Sequence, residues 1–433
     1  MYKKFFNFLS AATLATLFVS CAQLAPTEPT DSNAKVFPQE DAFIMFALRA
    51  ESIGDNQAAA DLFSMAYDKA RKKEYLYRAL SNEIAAGNNE KAIAAVDESS
   101  KGSLDDFKLV RLKIIALIQA QKLDEALALS TALVKKSEAA SDYTLASDVY
   151  IRQAKYDIAL KYLESAYVKD YNEEVLNKMS IILYVNLQRK KDAIAQLETH
   201  SRMMGCSQLI CNRLIGFYSN ENDVDGILST YLRMYDAFES PEIANKIIQI
   251  YGYKKNYLKM IEFLERSNSN DETLLELYSV TKNYKKAFLL ADKLYASSGE
   301  ISFLGQSAIY EYESNEKKDD ETVLKSVISK LERVIREDSN PMYENYLGYV
   351  LIDHELDVKK GMRHIRKVLK LQPESAFYLD SLAWGYYKLG NSEKAKSIMD
   401  KVVKLEGGDD PEVKEHMKEI KNSLQNKKVK NKK

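Results

Sequence analysis

The chain has 433 residues, 46% of them hydrophobic and 29% charged, which excludes wholesale disorder. Only 15 glycines and 7 prolines disfavour a turn-rich β protein, while the abundance of Lys, Ala, Leu, Glu and Tyr suits helices. The formal charge of −1 becomes −3 without Lys3 and Lys4, and −8 when Lys427, Lys428, Lys430, Lys432 and Lys433 are also set aside, so the body is mildly acidic and a poor nucleic-acid binder.

From the N-terminus, Lys3 and Lys4 form a charged head, and residues 5–19 form an apolar stretch broken only by Asn7, Ser10, Thr13 and Thr16. It is short for a membrane span and stops at small residues, as a secretory leader does. The stop, Leu17-Phe18-Val19-Ser20-Cys21, resembles a bacterial lipobox, with Phe18 where Leu is usual. That resemblance implies a leader over residues 1–20 and acyl chains, palmitate among them, on Cys21; an ordinary signal peptide is the other reading. Buried methylenes would then anchor the protein without a spanning helix. Ala22, rather than Asp, follows the cysteine, and the sorting rule of enteric bacteria then implies the outer membrane, facing the periplasm. Pro26, Pro29 and Pro38, with Thr, Ser and Asn between them, make residues 21–39 a disordered tether.

Beyond residue 40 the chain repeats itself. One small or core residue recurs at Ala59, Ala92, Ala126, Ala159, Ala193, Gly226, Met260, Ala287, Val327, Gly361 and Ala395, in steps of 33, 34, 33, 34, 33, 34, 27, 40, 34 and 34. A 34-residue unit of two helices is the signature of tetratricopeptide (TPR) repeats. In the first unit Phe43, Ala47 and Ala50 share one helical face, Gly54 turns the chain, and Ala59, Phe63 and Ala66 face back. The last unit follows the same logic with Leu379, Leu382, Ala383, Tyr386, Gly390, Ala395, Met399 and Val402. Pro241, Pro341, Pro373 and Pro411 all fall between units, where no helical N–H is lost. The 27-residue step implies a shortened helix near residues 265–272, and the 40-residue step an insertion at 314–320. That insertion reads either as a hinge or as a longer surface turn.

The segments NYLGYVLID (345–353) and DSLAWGYYKLGN (380–391) resemble the C-terminal repeats of proteobacterial TPR lipoproteins, specifically over residues 341–405. The fold expected is therefore all-α: an α-solenoid of about eleven TPR-like helix pairs, which the family winds into a right-handed superhelix. Residues 40–300 hold degenerate repeats, 301–424 the C-terminal repeats with a capping helix, and 425–433 a basic disordered tail. Each pair is apolar on two sides, so stacking supplies the core.

No length remains for a catalytic domain. His200, His354, His364 and His416 are scattered, and no phosphate loop or nucleophile elbow occurs. The Asp353-His354-Glu355-Asp357 cluster reads as a hydrated inter-helix turn, and neither metal nor cofactor is expected. Cys206 and Cys211 are too far apart to bridge on one straight helix, but they straddle a unit boundary at Gly205, where a local disulfide is feasible; two buried free thiols are the alternative.

The resemblance also supplies a groove, lined by positions 2, 5, 9, 12 and 13 of each unit. Carried onto the last unit these are Phe377, Asp380, Trp384, Tyr387 and Lys388, and in the unit before they include Tyr349 and Ile352. Two readings stand beside each other: interface anchors, or rings that pack helix on helix. The function expected is a non-catalytic adaptor that binds periplasmic or envelope proteins. Related lipoproteins recruit processing proteases that trim cell-wall hydrolases. A structural part of a pilus, flagellar or secretion machine is the alternative. The membrane is touched through the lipid alone, and neither nucleic acid nor a small-molecule substrate is expected.

Overall fold

The computed structural model describes the chain from residue 35 to residue 430, and its side chains to residue 426. The expectations for the leader, for Cys21 and for residues 22–34 lie outside the described residues. All regular structure among the described residues is helical.

The chain forms two compact units, one ending at Gln196 and the other beginning at Leu197. The first contains α1 (Glu40–Ser52) with α2 (Asn56–Ala70), α3 (Lys73–Ala85) with α4 (Asn89–Ser100), α5 (Phe107–Gln119) with α6 (Leu123–Ser137), and α7 (Ala140–Arg152) with α8 (Tyr156–Asp170). It then has α9 (Glu173–Ile181), which continues as a π-helical turn, Ile182–Asn186, and leads into α10 (Lys190–Met204), where the division falls. The second unit pairs α11 (Gln208–Asn220) with α12 (Val224–Phe238), α13 (Pro241–Tyr253) with α14 (Tyr257–Ser267), and α15 (Asp271–Val280) with α16 (Tyr284–Ser298). It goes on with α17 (Ile301–Ser314) and α18 (Glu321–Glu337), α19 (Pro341–Asp353) and α20 (Val358–Leu369), and α21 (Ala376–Lys388) and α22 (Ser392–Val402). The last helix is α23 (Pro411–Lys430). The pairs are those of a TPR-type α-solenoid.

The recurring anchor residues explain the pairing. Each lies on the second helix of its pair, at its fourth position except for Gly226 (third) and Val327 (seventh). Ala59, Ala126, Ala159, Ala193, Ala287 and Ala395 are fully buried, because a methyl group is all that fits between two closely packed helices. The seventh-position Val327 accounts for about half of the excess in the 40-residue step, and the wider spacing between the starts of α16 and α18 for the remainder. The shorter step arises because α14 and α15 have only 11 and 10 residues.

The turn at 315–320 lies inside one helix pair. Lys318 Nζ donates to the carbonyl oxygens of Tyr312 (2.7 Å) and Glu313 (3.2 Å), and Asp320 accepts from the N–H groups of Thr322 and Val323. Both facing helix ends are thus capped, and the segment is a surface turn. Pro241 and Pro341 occupy the first turn of their helices.

Each turn between paired helices, except that before α18, contains a residue in the left-handed region. Gly54, Gly87 and Gly390 fill it at φ of 80, 87 and 78°, whereas Gln121, Ala154, Gln188, Asn222, Lys255, Lys282 and Glu355 adopt φ between 52 and 60°.

Polar staples join successive pairs at nearly the repeat spacing. Glu40 is buried and accepts from Lys72 Nζ at 2.7 Å and Tyr75 Oη at 2.5 Å. Burial opposes its charge, but the donors from Lys72, Tyr75 and the Val36 N–H outweigh burial and hold the carboxyl down to about 2. Arg111 grips the buried Asp142 through two nitrogens, at 2.6 and 2.8 Å. Lys178 reaches Asp148 at 2.7 Å.

In the second unit Cys206 and Cys211 are joined by a disulfide with a Cα–Cα distance of 5.7 Å. Gly205, at φ 99°, swings the chain so that Cys206 meets the first turn of α11, and Met234 packs on the bridge. Closing so small a loop restricts the unfolded chain by about 2 kcal/mol. The Cys206→Ser/Cys211→Ser variant is expected to lose about that much stability around α11 and α12, seen as faster amide exchange there with α1–α4 unchanged.

Candidate protein-binding surfaces

Of the residues expected at the C-terminal groove, Tyr349, Trp384, Tyr387 and Lys388 line one cleft, and α23 packs against it as well. Its apolar residues Val413, Met417 and Ile420 pack against Ala376, Ile398, Met399 and Val402 of the last pair. The helix also runs on to Lys430, so the first residues of the expected tail are helical, since Gln, Asn and Lys offer no break.

With α23 in place, Trp384 is 7% exposed. Its ring stacks on His416 at 4.0 Å and on Tyr387 at 4.7 Å, and its Nε1–H donates to Asp353 Oδ1 at 2.8 Å. Asp380 is buried beneath, with Oδ2 2.8 Å from His416 Nδ1 and Oδ1 unpartnered. Burial alone would lower the His416 pKa, but the hydrogen bond and charge of Asp380 raise it overall. Lys388 Nζ donates to the Asp353 carbonyl oxygen at 2.8 Å and lies 5.1 Å from the Trp384 ring centre.

Ile352 departs from the expectation. It is fully buried against Met362, Ile365 and Trp384, because the next first helix, α21, covers its position. Trp384 and Asp380 likewise spend their contacts within the chain, on Asp353, Tyr387 and His416. Tyr349, Tyr387 and Lys388 still line an open cleft of about 660 Å³ between α19, α21 and α23. Phe377, at 54% exposure, stays on the surface beside Gly407. Burial, with the nearby Glu412 and Asp353, drives the Tyr349 hydroxyl far above the usual phenol range, so it is a donor at every working pH.

A second groove, not singled out from the sequence, crosses α5, α7, α9 and the π-helical turn in the first unit. It also measures about 660 Å³, and Ile115, Ile118, Leu145, Ile151, Ile181 and Ile182 are among its lining residues. Asp148 and Lys178 pair at its edge, and Arg152 stands exposed beside them. The signal was available: Ile118 and Ile151 are 33 residues apart, as are Gln119 and Arg152, so the repeat register places them in file. The rule that led to Tyr387 and Lys388 finds them when applied to α5 and α7. The π-helical turn, a feature common at functional sites, contributes Ile182 and Asn186 to the lining of this groove.

The acidic cluster after α19 is accounted for structurally. His354 Nε2 is 3.0 Å from Tyr312 Oη, and Asp357 caps α20 by accepting from the Lys360 N–H at 2.8 Å. Among the described residues no group of three or more His, Cys, Asp or Glu side chains could hold a metal ion. No helix of the described residues is long and apolar enough to cross a membrane.

No protein-family model and no curated protein matches the sequence. Among solved structures the chain is similar to one from the Cut9–Hcn1 hetero-tetramer of the APC/C, at 10% identity over 89% of this chain and 97% of that chain, with a TM-score of 0.41. It is similar to a thermophilic TPR protein of Thermus thermophilus, at 16% identity over 42% of this chain and 97% of the other, TM-score 0.34. Pseudomonas aeruginosa PilF matches at 13% identity over 46% and 92% of the two chains, TM-score 0.35. The class rests on this chain's own period and helix pairs: it is a TPR-type helical repeat protein.

Proposed function

We propose that this protein is a non-catalytic scaffold that captures another polypeptide in the isoleucine-lined groove of its first unit. The observation that carries the reading is the file of half-buried apolar side chains, Ile115, Leu145, Ile151 and Ile181, on three consecutive first helices. Large apolar side chains left half open on rigid elements mark interaction surfaces. The occupant that fits is an amphipathic helix whose apolar side chains recur at helical spacing and whose carboxylate meets Arg152. In the fuller form of the reading, acyl chains on Cys21 hold the body at the periplasmic face of the outer membrane. The groove then recruits a periplasmic protease or cell-wall hydrolase, and tethering raises the effective concentration of the pair.

A photo-crosslinking residue at Ile151 in cells tests this. A discrete soluble protein should be captured, and Ile115→Asp/Ile151→Asp should reduce capture at least tenfold while the helical circular dichroism is kept. Capture that survives the double variant would reject the groove. Capture only within a large insoluble assembly would favour a structural part of an envelope machine instead.

A further inference from the structure

The first and last helices of the repeat array present different outer faces. At the C-terminal end α23 packs over the last pair and leaves Lys414, Glu415, Lys418, Glu419 and Lys421 exposed. A terminal repeat needs such a polar outer face to stay soluble. At the N-terminal end α1 leaves Met45, Phe46, Leu48 and Ile53 exposed instead. Apolar side chains grouped in this way on one rigid helix mark a contact surface.

The repeat register shows what kind of contact Phe46 is suited to. Phe46 is the seventh residue of α1, and the seventh residue of α3 is the buried Ala79, which packs with Ala47 and Phe63 of the pair before it. The seventh residues of α7, α9, α11 and α13 (Ala146, Met179, Leu214 and Ile247) are buried likewise. Among the described residues no pair precedes α1, so Phe46 stands 58% exposed at a position that most first helices bury. The face therefore suits another helix.

The charges on the face select which helix. Asp41, Met45 and Arg49 are spaced by four residues and share one exposed stripe of α1. Two α1 helices laid antiparallel about a two-fold axis at Met45 bring Asp41 of each level with Arg49 of the other. Like charges then stay ~12 Å apart along the axis, at ~1.5 Å of rise per residue. Asp41 already meets Lys35 of its own copy, but both groups are exposed, and such a pair is readily exchanged. A lipid surface would instead press the Asp41 carboxylate against acyl chains. A head-to-tail neighbour would offer Phe46 the charged face of α23. We propose that the exposed face of α1 packs against α1 of a second copy of this chain, antiparallel and reciprocal, so that each copy serves as the preceding neighbour of the other's first pair.

The test uses the full chain, purified in mild detergent. Sedimentation should show a dimer at tens of micromolar that dissociates on dilution, and Phe46→Asp should weaken it at least tenfold. Phe46 is exposed, so amide exchange over α2–α4 should be unchanged in that variant. Asp41→Arg and Arg49→Asp should each weaken the dimer at least fivefold. The double variant Asp41→Arg/Arg49→Asp should restore it, because the exchanged charges again face each other. In an equal mixture of isotopically light and heavy Met45→Cys protein, oxidation should join light to heavy chains through that position. Ser52→Cys should not crosslink, since it lies ~21 Å along the axis from its symmetry mate. A monomer at every concentration, or a dimer indifferent to Phe46→Asp and to both charge reversals, would overturn the proposal. So would protection of α1 that appears only with phospholipid vesicles, or that persists in a monomer because the chain's own N-terminal segment covers the face.

Discussion

Trp384→Ala is expected to free α23 from the body of the protein while the first unit stays folded. The indole is shared by four elements: it stacks on His416 of α23 and Tyr387 of α21, donates to Asp353 of α19, and packs on Met362 and Ile365 of α20. Truncating a buried Trp costs about 3–5 kcal/mol through lost transfer energy and the cavity left behind. Asp353 Oδ1 also loses its donor, and His416 a face. In a repeat array each pair contacts mainly its neighbours, so this loss is felt locally. Amide exchange over α21 and α23 should accelerate by about two orders of magnitude, while α1–α8 keep wild-type protection. Trp384→Phe should lie between the two, since it keeps a ring but loses the N–H donor.

The same contact gives the wild-type protein a pH dependence of definite sign. His416 is raised against the effect of its burial by Asp380, so its charged form is favoured in the folded state. The stabilisation is fully present below the unfolded histidine pKa and is lost as pH rises through the folded value. Protection of α23 should therefore decline between neutral and mildly alkaline pH, and His416→Gln should abolish that slope.

The period and the anchor positions were legible because close helix contact restricts side-chain volume. Ala59, Ala126, Ala159 and Ala395 sit where a larger residue would force two helices apart, and that restriction writes itself into the sequence every 33 or 34 residues. The turns were less legible. Ala154, Gln188 and Lys282 hold left-handed conformations that normally advertise themselves as glycine, so these turns carry no residue-type signal. At the C-terminus, Tyr387 and Lys388 could be read from the repeat register. The stacking of His416 on Trp384 could not, because it depends on how a helix outside the register settles. The buried Ile352 shows the same limit: whether position 12 is open depends on what the following unit places over it. Ile118 and Ile151 belong to no distinctive motif, and the repeat register alone places them along an apolar groove.

The second large effect is expected at Gly361, and it separates two roles of glycine. A Cβ there would lie 2.5 Å from the Gly348 carbonyl oxygen and 2.7 Å from Ile352 Cγ1. The oxygen belongs to the backbone of α19 and cannot swing aside, so α19 and α20 must separate along their contact. Replacing glycine by alanine inside a helix ordinarily gains about 1 kcal/mol. Here overpacking should exceed that gain, and Gly361→Ala should destabilise the second unit by about 3 kcal/mol, toward the upper end for such clashes. Gly216 in α11 provides the contrast: it is helical, and a Cβ there meets nothing within 4 Å. Gly216→Ala should therefore stabilise by about 0.5–1 kcal/mol. Urea unfolding of the two variants, followed by amide exchange over α19–α20 and α11, should give opposite signs. Equal and favourable shifts would show that the Gly348–Gly361 approach is not the constraint that holds this pair together.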